Sequence, residues 1–367
     1  MAYLVVFFAT IAVLEVLRRN AARFGLVSYP GAHRHHTQPT PLVGGLGIFA
    51  GIALGVWLLP VDPETRATLT MAGFVLVSMG VWDDIREASF TSRFVAQALA
   101  VGLLAFIADV SLRDLGYIFD TSQSLFLGRW GVALTIFAAV GVINAVNMSD
   151  GLDGLAGSLA LVACVSLLFA SYATGNLLYV PFLGLVVTTL IGFMLFNARM
   201  PGFQSARLYL GDAGSLLVGF LLAWFLIAMS QGETRVIAPV TALWIFALPL
   251  FDAVTALLRR PMQGRSPFHA DRTHYHHYLR DLGLNVNQTL LVSAVVASGL
   301  ASIGLISEFK GIPEHTMFYA FLALFVVYFV FMVYLDINIQ RLLQQRCEAR
   351  LRKAEEVRDE EPVKSAQ

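Results

Sequence analysis

The stretch VALTIFAAVGVI (Val132–Ile143) runs without a charge into NAVNMSDGLDGLAG (Asn144–Gly157), and that junction decides how the chain is read. The apolar run, with its flanks, is long enough to cross a bilayer. It ends on two amides and two carboxylates, Asn144, Asn147, Asp150 and Asp153, set three residues apart. Residues at that spacing share a helix face, and Gly151 and Gly154 loosen the backbone where the polar groups leave the membrane. Oxygen ligands on one face suit a hard cation such as magnesium, and glycines let a bulky anion approach the main chain. The same residues also make an ordinary Asn/Asp/Gly turn that caps the next helix, so the surroundings must decide.

Those surroundings are a membrane. Of 367 residues, 57% are hydrophobic and 14% charged, far too apolar for a soluble domain. The formal net charge is zero, which disfavours nucleic acid as a partner. Cys164 lies in an apolar run and Cys347 in a charged tail, so neither a disulfide framework nor a zinc knuckle is implied. The first apolar run, Met1 to Leu17, lacks a basic start and a small-residue cleavage site, and reads as a retained span rather than a signal peptide.

Apolar runs of spanning length fall at about 1–17, 42–59, 66–82, 94–110, 130–147, 155–174, 177–197, 212–229, 236–258, 289–307 and 316–336. The expected fold is therefore an all-α polytopic integral membrane protein of about eleven transmembrane helices, one catalytic domain over 1–336 followed by a charged tail over 337–367. With the tail in the cytoplasm, twenty of the 25 Lys and Arg residues fall on the inside and five outside, so the N-terminus is expected in the periplasm.

On that topology every polar cluster faces the cytoplasm. The first loop carries His33-Arg34-His35-His36, then Pro39-Thr40-Pro41 and Gly44-Gly45; the third span ends on Asp83-Asp84; the seventh is followed by Gly211-Asp212-Ala213-Gly214-Ser215; and the loop after the ninth holds Arg265, His269, Asp271, Arg272, His274, His276 and His277. The outside loops are short and show no such grouping. A transporter or flippase of an isoprenoid-linked or anionic solute would keep ionisable groups near mid-span and show internal symmetry; only Asp252 lies well inside a span. Carboxylates and amides with nearby arginines and glycine turns are what a magnesium-assisted phosphoryl transfer needs. The Gly211–Ser215 turn opens the eighth span, so its backbone donors form a natural anion site, with Asp212 as N-cap the ordinary reading. The histidines lack cysteine partners and His-Glu-x-x-His spacing, which disfavours zinc and favours diphosphate or sugar binding with Arg272.

In this order the motifs resemble those of the polyprenyl-phosphate N-acetylhexosamine-1-phosphate transferases. The likeness covers nearly the whole chain: His36 with Pro41-Leu42-Val43-Gly44-Gly45, Asp83-Asp84, Asn144 to Leu155, Gly211 to Ser215, Pro239 to Trp244, and Ser266-Pro267-Phe268 leading to Asp271-Arg272-Thr273-His274-Tyr275-His276-His277. The resemblance implies transfer of GlcNAc-1-phosphate, or another N-acetylhexosamine phosphate, from a UDP-sugar to undecaprenyl phosphate with release of UMP. That reaction is the first membrane step of O-antigen or enterobacterial common antigen synthesis at the bacterial inner membrane. It implies Mg2+, with Mn2+ as substitute, on Asp212 and Asn147, with Asp83 and Asp84 beside it to orient or deprotonate the lipid phosphate. Asp150 and Asp153 would shape the nucleotide side together with Asn144, and Arg34, His36, Arg265, Asp271, Arg272, His274, His276 and His277 would bind donor and phosphate. A homodimer is compatible with the family. Lysine often stands near the position of Arg34 in the family, so the cation is kept with a different geometry. A lipid phosphate ionises near neutrality, so a strong base is not required.

Overall fold

A computed structural model describes residues 1–29, 39–119, 122–199, 202–203, 205–266 and 273–338. The described backbone is mostly helical, the form that satisfies its own polar groups in hydrocarbon. In chain order the helices are α1 (Ala2–Asn20), α2 (Gly44–Leu58), α3 (Pro63–Arg86), α4 (Phe90–Ile107), α5 (Gly131–Ser149), α6 (Leu155–Thr174), α7 (Val180–Asn197), α8 (Gly211–Ala228), α9 (Pro239–Ile245), α10 (Ala247–Met262), α11 (Tyr275–Asp281), α12 (Val286–Phe309) and α13 (Glu314–Asn338).

Eight of these, α3 to α8, α12 and α13, are long and apolar enough to cross a bilayer, and α9 with α10 would make a ninth among the described residues. Two of the eleven expected spans fall short: α1 carries Glu15, Arg18 and Arg19 near its end, tied in an ion-pair cluster, and α2 is 15 residues long. The expected ninth span is broken. Between α9 and α10 the axis turns by 82°, because Pro249 in the first turn of α10 has no N–H for the Ile245 carbonyl and its ring crowds that carbonyl.

Local signals set several helix starts. Asp62 accepts from Thr65 N–H at 2.8 Å ahead of Pro63 and Glu64, Ser89 accepts from Ser92 N–H at 3.1 Å, and Asn285 with Gln288 makes a full capping box on α12.

The bundle is organised on α8. All of its residues except Asp212 are buried, which identifies a helix enclosed on every side; α2, α3, α5 and α6 surround it. Glycines permit that enclosure. A Cβ at Gly80 of α3 would stand 2.2 Å from Ala213 Cα, and one at Gly45 of α2 would stand 2.2 Å from Gly214 N, so only glycine lets these backbones meet. The turn before α8 is pinned as well: Tyr209 N–H donates to Pro41 O at 2.8 Å, Gly44 N–H to Tyr209 O at 3.0 Å and Gly45 N–H to Leu210 O at 3.0 Å. Val27–Ser28 pairs antiparallel with Thr40–Pro41; residues 30–38, with His33, Arg34, His35 and His36, lie outside the described residues.

Candidate active site

Asn144 and Asn147 project from the last two turns of α5. Asn144 Nδ2 donates to Gln97 Oε1 at 2.7 Å and to Val140 O at 2.8 Å. Asn147 Nδ2 donates to Asp212 Oδ1 at 2.6 Å and Ser215 Oγ at 2.8 Å, which joins two motifs 65 residues apart. The helix then stops at Ser149, and a turn at Gly154 with φ of 80° starts α6. The three-residue spacing therefore does not continue as one helical face. Asp150 stays near Asp212, whereas Asp153 turns to accept from Arg199 Nε at 2.7 Å and Ala206 N–H at 3.2 Å. That carboxylate staples the segment leading to α8. Arg199→Ala is expected to lower the thermal midpoint of the solubilised protein, by about 1–2 kcal/mol of stability because Arg199 is partly solvated, with a smaller effect on UDP affinity; unchanged melting would remove the staple.

The acidic pair at the end of α3 divides in two directions. Asp84 accepts from Asp212 N–H at 3.0 Å and Ala213 N–H at 3.4 Å, so the cap of α8 is Asp84 rather than Asp212, and the expected anion site at this helix start is already held by a carboxylate. Asp83 accepts from Ala88 N–H at 2.8 Å and lies 3.2 Å from Arg93 Nη1. Capping by Asp84 leaves the Asp212 side chain free to face Asn147.

Negative charge accumulates at this point. Burial and the neighbouring charges of Asp212, Asp84 and Asp153 raise the Asp150 carboxyl well above the usual carboxylate range. Among the described residues no cationic side chain pairs with Asp150 or Asp212. Equally, no three of His, Cys, Asp or Glu close into a metal cage there. Magnesium does not require one, since it commonly takes one or two protein oxygens and completes its shell with water and substrate phosphates. The donor set is the Asp212 carboxylate with Asn147, whose Nδ2 faces it and whose amide would turn over to offer oxygen; beside the carboxyl groups of Asp84 and Asp150 such oxygen donors fit that ion, and they do not fit zinc.

Facing this cluster are the histidines at the start of α11. A cavity of about 1290 Å³ is lined at one end by Asn147, Asp150, His274, His276 and His277, and along its length by apolar side chains of α4, α5, α9 and α10. Its wall includes Phe137 of α5, which is 77% exposed, so the apolar lining reaches the outer surface of the bundle. His276 is 1% exposed, and neither ring nitrogen has a hydrogen-bond partner among the described residues. Burial, then the nearby His277, push its imidazole down to about 3, so it is neutral at physiological pH. Gly151 makes room for it: a Cβ there would stand 2.6 Å from His276 Nε2. Arg265 is exposed and off the cavity wall; Asp271 and Arg272, with His269, lie outside the described residues.

Several residues of the site escaped sequence reasoning. Arg93, Arg199 and Arg260 counted only toward the charge balance, yet Arg93 and Arg199 pair with site carboxylates and Arg260 lines the cavity. Gln97, 1% exposed in an apolar helix, left the one usable signal, an uncharged polar residue inside a span. Asp252 had been singled out without a role; it lies 2.7 Å from His274 Nδ1.

Comparison with known proteins finds a matching family and relatives covered over most of their length. Residues 67–230 match the model of glycosyl transferase family 4. Proteins named undecaprenyl-phosphate alpha-N-acetylglucosaminyl 1-phosphate transferase are similar over most of their length. That of Yersinia pestis is 36% identical over 325 residues, 88% of each chain. That of Escherichia coli K12 is 36% identical over 326 residues, again 88% of each, and that of Haemophilus influenzae is 34% identical, covering 88% of this chain and 91% of its own. Motif order, a shared cavity end and likeness across nearly nine-tenths of the chain lead to one conclusion: the chain belongs to glycosyl transferase family 4, among the polyprenyl-phosphate N-acetylhexosamine-1-phosphate transferases.

Proposed function

We propose that the protein transfers GlcNAc-1-phosphate from UDP-GlcNAc to undecaprenyl phosphate, releasing UMP. The observation that carries this reading is the cavity that joins an apolar wall reaching the outer surface at Phe137, suited to an isoprenoid chain, to a polar end holding Asn147, Asp150 and the histidines. A phosphate oxygen of the lipid attacks the phosphorus bonded to the sugar; that oxygen–phosphorus bond forms as the bond to the bridging oxygen of UMP breaks. Asp212 and Asn147 would hold Mg2+, which supplies charge neutralisation to the diphosphate oxygens. Neutral His276 adds hydrogen bonding without a buried charge, and Arg260 brings a cation to the cavity wall. Asp84, fixed by the backbone of α8, sets where Asp212 stands.

Sidedness follows from the arginine and lysine distribution, which supports placing the site on the cytoplasmic face of a bacterial inner membrane. The reaction would there open assembly of a cell-envelope glycan. Purified protein given UDP-GlcNAc, undecaprenyl phosphate and Mg2+ is expected to release UMP, and chelation to abolish that release. No UMP from any UDP-N-acetylhexosamine would sink the reading and return a transporter to consideration.

A further inference from the structure

One buried carboxylate behind the polar end of the cavity has no part in the reaction as described. Asp252, in the second turn of α10, is 2% exposed, and His274, just before α11, is 6% exposed. His274 Nδ1 stands 2.7 Å from Asp252 Oδ2. The other oxygen, Oδ1, accepts from the Tyr275 backbone N–H at 3.0 Å and from the Tyr328 hydroxyl of α13 at 3.1 Å. Three donors from two other segments thus fix a carboxylate that would otherwise be costly to bury.

This arrangement determines what His274 can present. With Nδ1–H committed to the carboxylate, Nε2 is the ring nitrogen left for the cavity that His274 lines. The His276 ring lies parallel to it, with centroids 5.7 Å apart and planes within 3°, so the imidazole cannot rotate freely.

We propose that Asp252, supported by Tyr328, is a positioning residue for the transfer reaction: it holds the His274 ring so that Nε2 faces the nucleotide-sugar donor in a fixed orientation. The inference rests on the reading of the cavity as the substrate site. It gives α13 a part in the chemistry through a hydroxyl group that never touches substrate. The titratable and charged groups packed around the pair are Tyr275, His276 and His277 of α11, Arg259 of α10 and Tyr328 of α13. Asp150 and Arg260 stand across the cavity.

The test uses the full-length protein in detergent and follows UMP release from UDP-GlcNAc with Asp252→Asn, Tyr328→Phe, His274→Gln and the double variant Asp252→Asn/His274→Gln. Asp252→Asn is isosteric, and it is expected to lower kcat/KM for UDP-GlcNAc by about 10- to 100-fold while the KM for undecaprenyl phosphate stays within about twofold. The double variant is expected to be no worse than His274→Gln alone, since both lesions remove one function. Tyr328→Phe gives a smaller loss in the same direction.

Multiplying losses in the double variant, or a lowered thermal midpoint with kcat/KM for UDP-GlcNAc unchanged, would make Asp252 a structural residue and overturn the inference. If the wild type released no UMP, the reaction itself would be wrong. Calorimetric binding of UDP-GlcNAc would then still decide the point, with an unchanged Kd in Asp252→Asn overturning it and a weakened one upholding it.

Discussion

Asp212→Asn is expected to lower kcat by about 10³-fold while the Kd for UDP changes by less than about tenfold, the difference being the transition-state charge that a neutral amide no longer anchors. The substitution suits the question because it should leave the fold intact. Asp212 Oδ1 accepts from Asn147 Nδ2, a role the asparagine carbonyl can keep, and the backbone N–H of residue 212 still donates to Asp84. What disappears is one negative charge from a group whose mutual repulsion already raises the Asp150 carboxyl. A divalent ion bound there should lose affinity, so the Mg2+ concentration giving half-maximal turnover should rise alongside the fall in kcat. Turnover within a few-fold of the parent would remove Asp212 from the metal site.

Gly80→Ala should be the most damaging substitution that touches no polar group. Its new Cβ would stand 2.2 Å from both the Cα and the N of Ala213. Both are backbone atoms, so relief requires α3 and α8 to separate rather than a side chain to turn. Overpacking of this kind costs about 1–3 kcal/mol. The functional loss should be larger than the stability loss suggests, because Asp84, one turn further along α3, carries the start of α8. A shift of about 1 Å between α3 and α8 moves Asp212 relative to Asn147 and is expected to cost about 10²-fold in turnover. Gly45→Ala, whose Cβ would stand 2.2 Å from Gly214 N, should behave alike. Gly102→Ala is the control: nothing lies within 4 Å of its Cβ, so it should leave turnover unchanged and slightly raise stability. Equal thermal midpoints and turnover for the Gly80 and Gly102 variants would show that the close approach of α3 and α8 does not set the site.

Much of the site was legible because its groups occur where a membrane sequence rarely tolerates them. Asn147, Asp150, Asp83, Asp84 and Asp212 each end or begin an apolar run, and the structure brings all five to one end of the bundle. Legibility stopped where helical periodicity did. Asp153 stands six residues beyond Asn147, about 120° around a continuous helix, and the Gly151–Gly154 turn ends α5 before reaching it; the pairing with Arg199 spans 46 residues and leaves no local trace. The break at Phe246 was hidden for a related reason, since an apolar run reads the same whether straight or bent, and only Pro249 hinted at it. Asp252 shows the limit from the other side. An intramembrane carboxylate announces that a partner exists, but nothing in the sequence says that His274, 22 residues away, is that partner. The short α2 and the charged end of α1 were counted as spans because hydropathy measures composition and not the depth at which a helix sits.

The complete enclosure of α8 has a consequence for how the protein experiences its host membrane. With no residue of α8 turned toward lipid, a thicker or thinner bilayer acts first on the peripheral helices, whose tilt can adjust at modest cost. The carboxylate at residue 212 would feel such a change only as far as α3 and α5 transmit it. Turnover should therefore vary less with acyl-chain length in reconstituted vesicles than lateral uptake of the polyprenyl substrate does, which separates sensitivity of delivery from sensitivity of chemistry.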